Sequence, residues 1–296
     1  MKIAFHGAAH TVTGSKHLLT LKNGTKILFD CGLFQGLGKD TDRLNASFGF
    51  EATEIKYLLL SHAHIDHCGL IPKLVKEGFT GKIFCTPATR DLVQILLLDS
   101  AEIQRDDTKF INKRRAKQNL PPYEPLYTVE DAKAAFGLFE IVQYHEWFEI
   151  EPGVKVFYTD AGHIIGSAAV HVRITENNVT RQISFSGDVG RYGDVILKSP
   201  ETFEQADFII CESTYGNSLH QEILDTPGQI MHWIQKTRKE KKGKLIIPAF
   251  SVGRTQEILF FLNGLSNEKK LPHVPVFVDS PLSREATGVV KSHPEN

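Results

Sequence analysis

Short apolar runs broken by turns fill the first half of the chain. Their alternation of apolar and polar positions predicts strands at IAFHGA (3–8), HLLTL (17–21), KILFDCG (26–32), YLLLSH (57–62) and KIFCT (82–86). GLIPKLVKEG (69–78) predicts a short helix ended by Gly78, and TRDLVQILLLDSAEIQRDD (89–107) repeats apolar residues at helical spacing. VKVFYTDAG, AAVHVRIT, RQISFSGD and DFIICEST (154–214) return to strand patterning. The chain then alternates: strand-like KLIIPAF (244–250), helical GRTQEILFFLNGL (253–265), strand-like VPVFVDS (274–280). This order predicts an α/β protein of layered sheets and helices.

Composition narrows the classes. The 296 residues suffice for one large domain or two ordinary ones, and the net charge of −1 provides no bulk field for a nucleic acid or a membrane. It does not exclude an enzyme whose cations line one groove. Two basic segments, 109–118 and 236–244, read either as solvated helix faces or as walls for a polyanion. No apolar run is long enough for a transmembrane helix, and the N-terminus lacks signal-peptide patterning. The four cysteines, Cys31, Cys68, Cys85 and Cys211, form no C-x-x-C pair, which fits reduced thiols in the cytoplasm.

SHAHIDHCGL (61–70) concentrates the chemistry. If the strand continues through it, His62, His64 and Asp66 point one way and His67 the other. One loop then feeds two ions: His62 and His64 hold one, Asp66 and His67 the other. Imidazole and carboxylate donors suit zinc, with manganese or iron as alternatives. Cys68 is either a further ligand or a small buried residue. Two distant residues complete the set: His163, between glycines in TDAGHIIGSA, and Asp188, at a strand end in SFSGDVGR, where a carboxylate can bridge both ions. Asp30 in LFDCG is placed to orient a ligand histidine. Two ions roughly 3.5–4 Å apart hold a bridging hydroxide and clamp a phosphate, so no protein nucleophile is required.

FDCG, SHAHIDHCG, AGHIIGSA and FSGD stand in the order of the metallo-β-lactamase fold, and the chain resembles that family. The resemblance implies a four-layered αββα sandwich with a binuclear site at its edge. ICESTYGN (210–217), IPAFSVGRTQEIL (247–259), VFVDSPLSREAT (276–287) and the opening FHGAAHTVTGSKHLL resemble the β-CASP subgroup of RNA- and DNA-processing nucleases. That resemblance implies a metallo-β-lactamase domain over 1–208 and the start of an inserted β-CASP α/β domain over 209–296. It makes His62, His64 and His163 ligands of one ion, Asp66 and His67 ligands of the other, and Asp188 the bridge. Glu212 matches an acidic residue beside the metals. Asp66, Asp188 and Glu212 form the implied catalytic group.

Ser251 and Arg254, at a glycine-containing turn into a helix, are candidate phosphate contacts, with a domain-internal salt bridge the alternative for Arg254. The family carries two further histidines downstream, a last ligand and a general acid. The expectation is therefore a fragment of a longer protein. The implied function is a two-zinc ribonuclease acting on single-stranded RNA in the cytoplasm, internally or from an end, with a dimer left open. Two alternatives are a metallo-hydrolase of small esters or thioesters, disfavoured by the insertion after Glu212, and a non-catalytic RNA-binding partner subunit, disfavoured because every ligand position present is filled.

Overall fold

Apolar alternation becomes strand in about the first two thirds of the chain. A computed structural model describes residues 1–219, 225–238 and 243–294. Strands β1 (Lys2–Gly7), β2 (Lys16–Thr20), β3 (Lys26–Phe29), β4 (Ile55–Leu59), β5 (Lys82–Cys85) and β6 (Phe139–Ile141) lie in that order in a six-stranded sheet. The first three run antiparallel, and β3 to β6 are parallel. Strands β7 (Phe148–Glu151), β8 (Val154–Asp160), β9 (Ala168–Glu176), β10 (Val179–Phe185) and β11 (Phe208–Ile210) form the second sheet, antiparallel except where β11 joins β10.

Period two explains the layers. Ile27, Phe29, Tyr57 and Leu59 face Val156, Tyr158, Val170, Val172 and Ile183 of the second sheet. Leu28, Leu58 and Leu60 point the other way, into a core closed by helices. Burial on both faces is why β3 and β4 read as nearly unbroken apolar runs. The helices are α1 (Asp40–Ala46), α2 (Ile65–Cys68), α3 (Ile71–Lys76), α4 (Pro87–Lys117), α5 (Val129–Ala135), α6 (Thr226–Lys236), α7 (Arg254–Asn267) and α8 (Pro281–Ser292). Leu92, Val93 and Leu97 of α4 and Ala286 of α8 belong to the helix-side core, and His293 Nε2 lies 2.9 Å from Asp91 Oδ2 on α4. Among the described residues no helix is long and apolar enough to cross a membrane. The mixed α/β architecture with two packed sheets is the one expected. On the outer face of the second sheet, residues 200–206 place Phe203 edge-on against His171.

Two predicted strands do not form. Residues 244–250 and 274–280 lack ladder partners among the described residues. Ile246, Phe250 and Phe277 are 83%, 85% and 84% exposed. Strand propensity reflects packing on a pleated surface, and without a neighbour it yields no strand. Helix α4 outruns its predicted end at 107 and absorbs residues 109–117 of the basic segment, with Gln118 as its C-cap. Of the second basic segment, residues 239–242 lie outside the described residues, as do the last two positions of HPEN.

Candidate metal centre

The parallel strands aim their C-terminal ends at one edge of the sandwich. His62 and His64 follow β4, Asp30 follows β3, Asp188 follows β10, and His163 sits in the turn between β8 and β9. That turn is anchored twice. Ser167 Oγ accepts from the backbone N–H groups of His163 (3.0 Å) and Ile164 (3.3 Å). Thr86, the N-cap of α4, and Thr89 donate their hydroxyls to Gly166 O at 2.6 and 2.8 Å. Gly162, at φ +62°, supplies the left-handed residue that the turn requires.

Strand alternation holds for His62 and His64 and stops there. His64 is the N-cap of α2, and the N–H groups of His67 and Cys68 bond back to His64 O at 2.8 and 2.9 Å. Asp66 and His67 therefore leave from a helical turn, which corrects the expected extended course. The turn is laced to Ser15 and to 31–33: Cys31 N donates to His67 O (2.7 Å), Leu33 N to Ile65 O (3.0 Å) and Ser15 N to Asp66 O (2.8 Å). Gly32 permits this approach, since a Cβ there would sit 1.6 Å from Asp66 O.

The ring nitrogens converge. His62 Nε2 lies 3.2 Å from His64 Nδ1, which lies 3.0 Å from His163 Nε2. Tetrahedral ligands at zinc–nitrogen distances of about 2.0–2.1 Å stand about 3.3 Å apart, so the spacing fits a shared ion. His62, His64, His163 and Asp188 each offer a ligand atom, and all four atoms lie within 4.8 Å of one another. Asp188 faces a second set as well. Its Oδ2 is 3.4 Å from His163 Nε2, its Oδ1 is 3.1 Å from His67 Nε2, and Asp66 Oδ2 is 3.8 Å from that same nitrogen.

Charge follows the geometry. Burial first, then the neighbouring imidazoles, lowers His62 and His163, and takes His64 to about 3. These three are neutral with free lone pairs, as ligands must be. Burial also opposes the His67 imidazolium, but Asp30 and Asp188 outweigh it and raise His67 well above its ordinary value. Asp188 resists burial through its bond to His67 and falls to about 2. Burial raises Asp66.

Asp30 is wholly buried at φ +56° and accepts from four donors. Ser61 N–H reaches Oδ1 at 2.8 Å, while Ser61 Oγ (2.9 Å), Ser15 Oγ (3.3 Å) and His67 Nδ1 (2.6 Å) reach Oδ2. Ser61 Oγ also lies 3.0 Å from His62 Nδ1. With the serine proton on Asp30, His62 Nδ1–H donates to Ser61 and Nε2 stays free toward the cluster. In the sequence Ser15 and Ser61 have no triad context and so no nucleophile's role; the structure sets both hydroxyls on Asp30 instead.

Glu212 accepts from the N–H of Val189 at 3.0 Å and of Thr214 at 3.3 Å, which fixes the backbone next to Asp188. A cleft of about 770 Å³ opens from the histidines toward Ser251, Gly253 and Arg254, over a floor that includes Leu96 and Ile164. Arg254 Nη1 bonds Glu257 Oε2 at 2.6 Å, and Arg191 takes the other oxygen at 2.6 Å. Ser251 Oγ lies 3.5 Å from Ser280 Oγ. Cys68 is no part of the cluster: its buried thiol donates to Ala63 O at 3.1 Å and burial raises it.

The model of the metallo-beta-lactamase superfamily matches residues 17–226. The chain belongs to that superfamily. It is 35% identical over 283 residues to Ribonuclease TTHA0252 of Thermus thermophilus, covering 96% of this chain and 59% of that protein. It is 34% identical over 275 residues to Transcription termination factor FttA of Methanosarcina mazei, covering 92% of this chain and 40% of that one. It is 31% identical over 290 residues to Cleavage and polyadenylation specificity factor 73 of Drosophila melanogaster, covering 97% and 39%. The chain thus spans less than two thirds of the length of these relatives.

In this metallo-beta-lactamase chain, the fold gathers His62, His64, His163 and Asp188 about one point and sets His67 and Asp66 on the other side of Asp188, with Asp30 directly behind His67. Glu212 stands beside them through Val189. Ser251 and Arg254 lie across the cleft.

Proposed function

We propose that this chain carries the hydrolytic site of a metal-dependent phosphodiesterase that cleaves single-stranded RNA. The observation that carries the reading is the position of Asp188, one oxygen on the three-histidine group and the other on His67. It supports two ions, one held by His62, His64 and His163, the other by Asp66 and His67, with Asp188 shared between them. The imidazole-rich set favours zinc, with manganese as the alternative.

When bound, two such ions supply Lewis acidity toward a phosphoryl oxygen and lower the pKa of water. The chain's own residues do the rest. Asp30 holds His67 and, through Ser61, His62 in the tautomers that expose Nε2. Glu212 fixes the Val189 backbone and so the direction of Asp188. Arg254 and Ser251 face the site across the cleft, where a phosphate chain would pass.

RNA as substrate rests on the relatives, whose names include a ribonuclease. The buried thiols of Cys31, Cys68 and Cys85 suit a reducing compartment such as the cytoplasm. The division into a metallo-β-lactamase domain over 1–208 and a β-CASP segment from 209 belongs to the same proposal.

The test is the zinc-loaded complete gene product with end-labelled single-stranded RNA beside a thioester and a simple ester. Cleavage of the RNA with both esters untouched is expected. Turnover of an ester without RNA cleavage would overturn the reading.

A further inference from the structure

We propose that the C-terminal part of α4 is a second contact surface for single-stranded RNA, with Phe110 stacking on a base and Lys113, Arg114 and Lys117 holding phosphates. The proposal takes its ligand from the RNA-cleaving reading above.

These residues stand at i, i+3, i+4 and i+7, one face of the helix. Phe110 is 65% exposed, and Lys113, Arg114 and Lys117 continue the exposed face on its C-terminal side, with Asp106 and Asp107 one turn before it. Among the described residues none of the three cations pairs with a carboxylate. Arg105 and Lys109, by contrast, are engaged with Asp106, and Arg115 donates Nε to Pro121 O at 2.6 Å. The helix dipole favours cations in the last turn. It gives no reason for a bare phenyl ring among them. An aromatic platform flanked by unpaired cations is how sequence-tolerant proteins hold single strands: rings take bases and cations take the backbone.

The surface shares a helix with the cleft, which Leu96 lines. At about 1.5 Å and 100° per residue, Phe110 lies about 21 Å beyond Leu96 and the stripe falls within about 100° of its direction. Between them Asp99 lies close enough to Glu102 and Glu285 for the carboxylates to interact. A phosphate backbone will not rest on that acidic stretch. The two contacts are therefore separate, and only an RNA long enough to span both engages the stripe.

The test uses the zinc-loaded complete gene product and end-labelled oligouridines, one of about 6 and one of about 20 nucleotides, bracketing common single-strand site sizes. Phe110→Ala is compared with the triple change Lys113→Gln, Arg114→Gln and Lys117→Gln. All four positions are exposed, so both variants should fold, and circular dichroism checks this. For the long RNA, Phe110→Ala raises KM about tenfold with kcat unchanged. The triple variant reduces the slope of log(kcat/KM) against log salt by about 2, as expected for three lost phosphate contacts. Neither change affects the short RNA. Unchanged KM and salt slope on the long RNA would overturn the proposal and leave the stripe to a protein partner. If no RNA is cleaved at all, the nuclease reading fails, and fluorescence anisotropy with the same RNAs and variants still decides the surface.

Discussion

Oδ2 of Asp30 lies 2.6 Å from Nδ1 of His67, and the same oxygen takes the Ser61 hydroxyl that meets His62. One buried carboxylate thus orients an imidazole in each half of the centre. Replacing it leaves four donors without their acceptor. Asp30→Ala is expected to weaken zinc at the His67 position roughly 10- to 100-fold and to destabilise the chain by about 3 kcal/mol. Metal titration followed by urea unfolding checks both.

The two halves should load with different pH dependence. His62, His64 and His163 are neutral before any ion arrives, because burial and mutual repulsion lower them. His67 is raised and holds a proton between Asp30 and Asp188. An ion at His67 must displace that proton, so affinity there falls as pH falls, with about one proton released per ion. The three-histidine position should show little pH dependence near neutrality. Calorimetry in buffers of different ionisation enthalpy separates the two events.

Acid should destabilise the metal-free chain. In the unfolded chain the histidines titrate near 6.5, whereas the folded chain holds His64 at about 3 and His17 at about 4. Below 6.5 the unfolded state therefore binds more protons, and stability is lost as pH falls from there toward 4. His67, raised, works in the opposite sense but is one group against several. Urea midpoints across this range should decline, and a flat profile would contradict the burial of these rings.

Glu212 acts through Val189. Glu212→Ala should slow RNA cleavage about 100-fold through misplacement of Asp188, while Glu212→Gln, which keeps an acceptor oxygen, should recover much of the loss. Metal content measured on the same samples should stay near that of the unaltered chain.

Arg254 separates a structural from a substrate role. Arg254 is more than half exposed, and Glu257 keeps Arg191 when it is removed, so its ion pair with Glu257 contributes about 1 kcal/mol or less. Arg254→Ala should leave the unfolding midpoint nearly unchanged and raise KM for RNA about tenfold. A large loss of stability with KM unchanged would assign it to the salt-bridge network.

The sequence was most legible where one physical rule acted alone. Alternation located the strands of both sheets except β6 and β7, whose three and four residues are too short to show a period, and the density of HxHxDH located the metal cluster. It misled where rules competed. The helical turn at Ile65 ended the alternation that was extended to Asp66. KLIIPAF and VPVFVDS had strand composition, but pairing is a tertiary property that composition does not contain. Asp30 was legible as a support for a histidine. Ser15 and Ser61 were not, because a serine discloses its partners only once β3 and β4 lie side by side. The basic segment at 109–117 was legible as a helix face, but its continuity with the apolar helix before it was not, since charged residues carry little periodicity.

The central claim is that the residues gathered by Asp188 hold the metals that cut RNA. The most direct test measures zinc content and RNA cleavage on the same preparations of the complete gene product and of its Asp66→Ala variant. The account predicts about two zinc ions and cleavage in the first, and about one ion and no cleavage in the second. Full cleavage by Asp66→Ala, or cleavage by a chain stripped of metal, would contradict it.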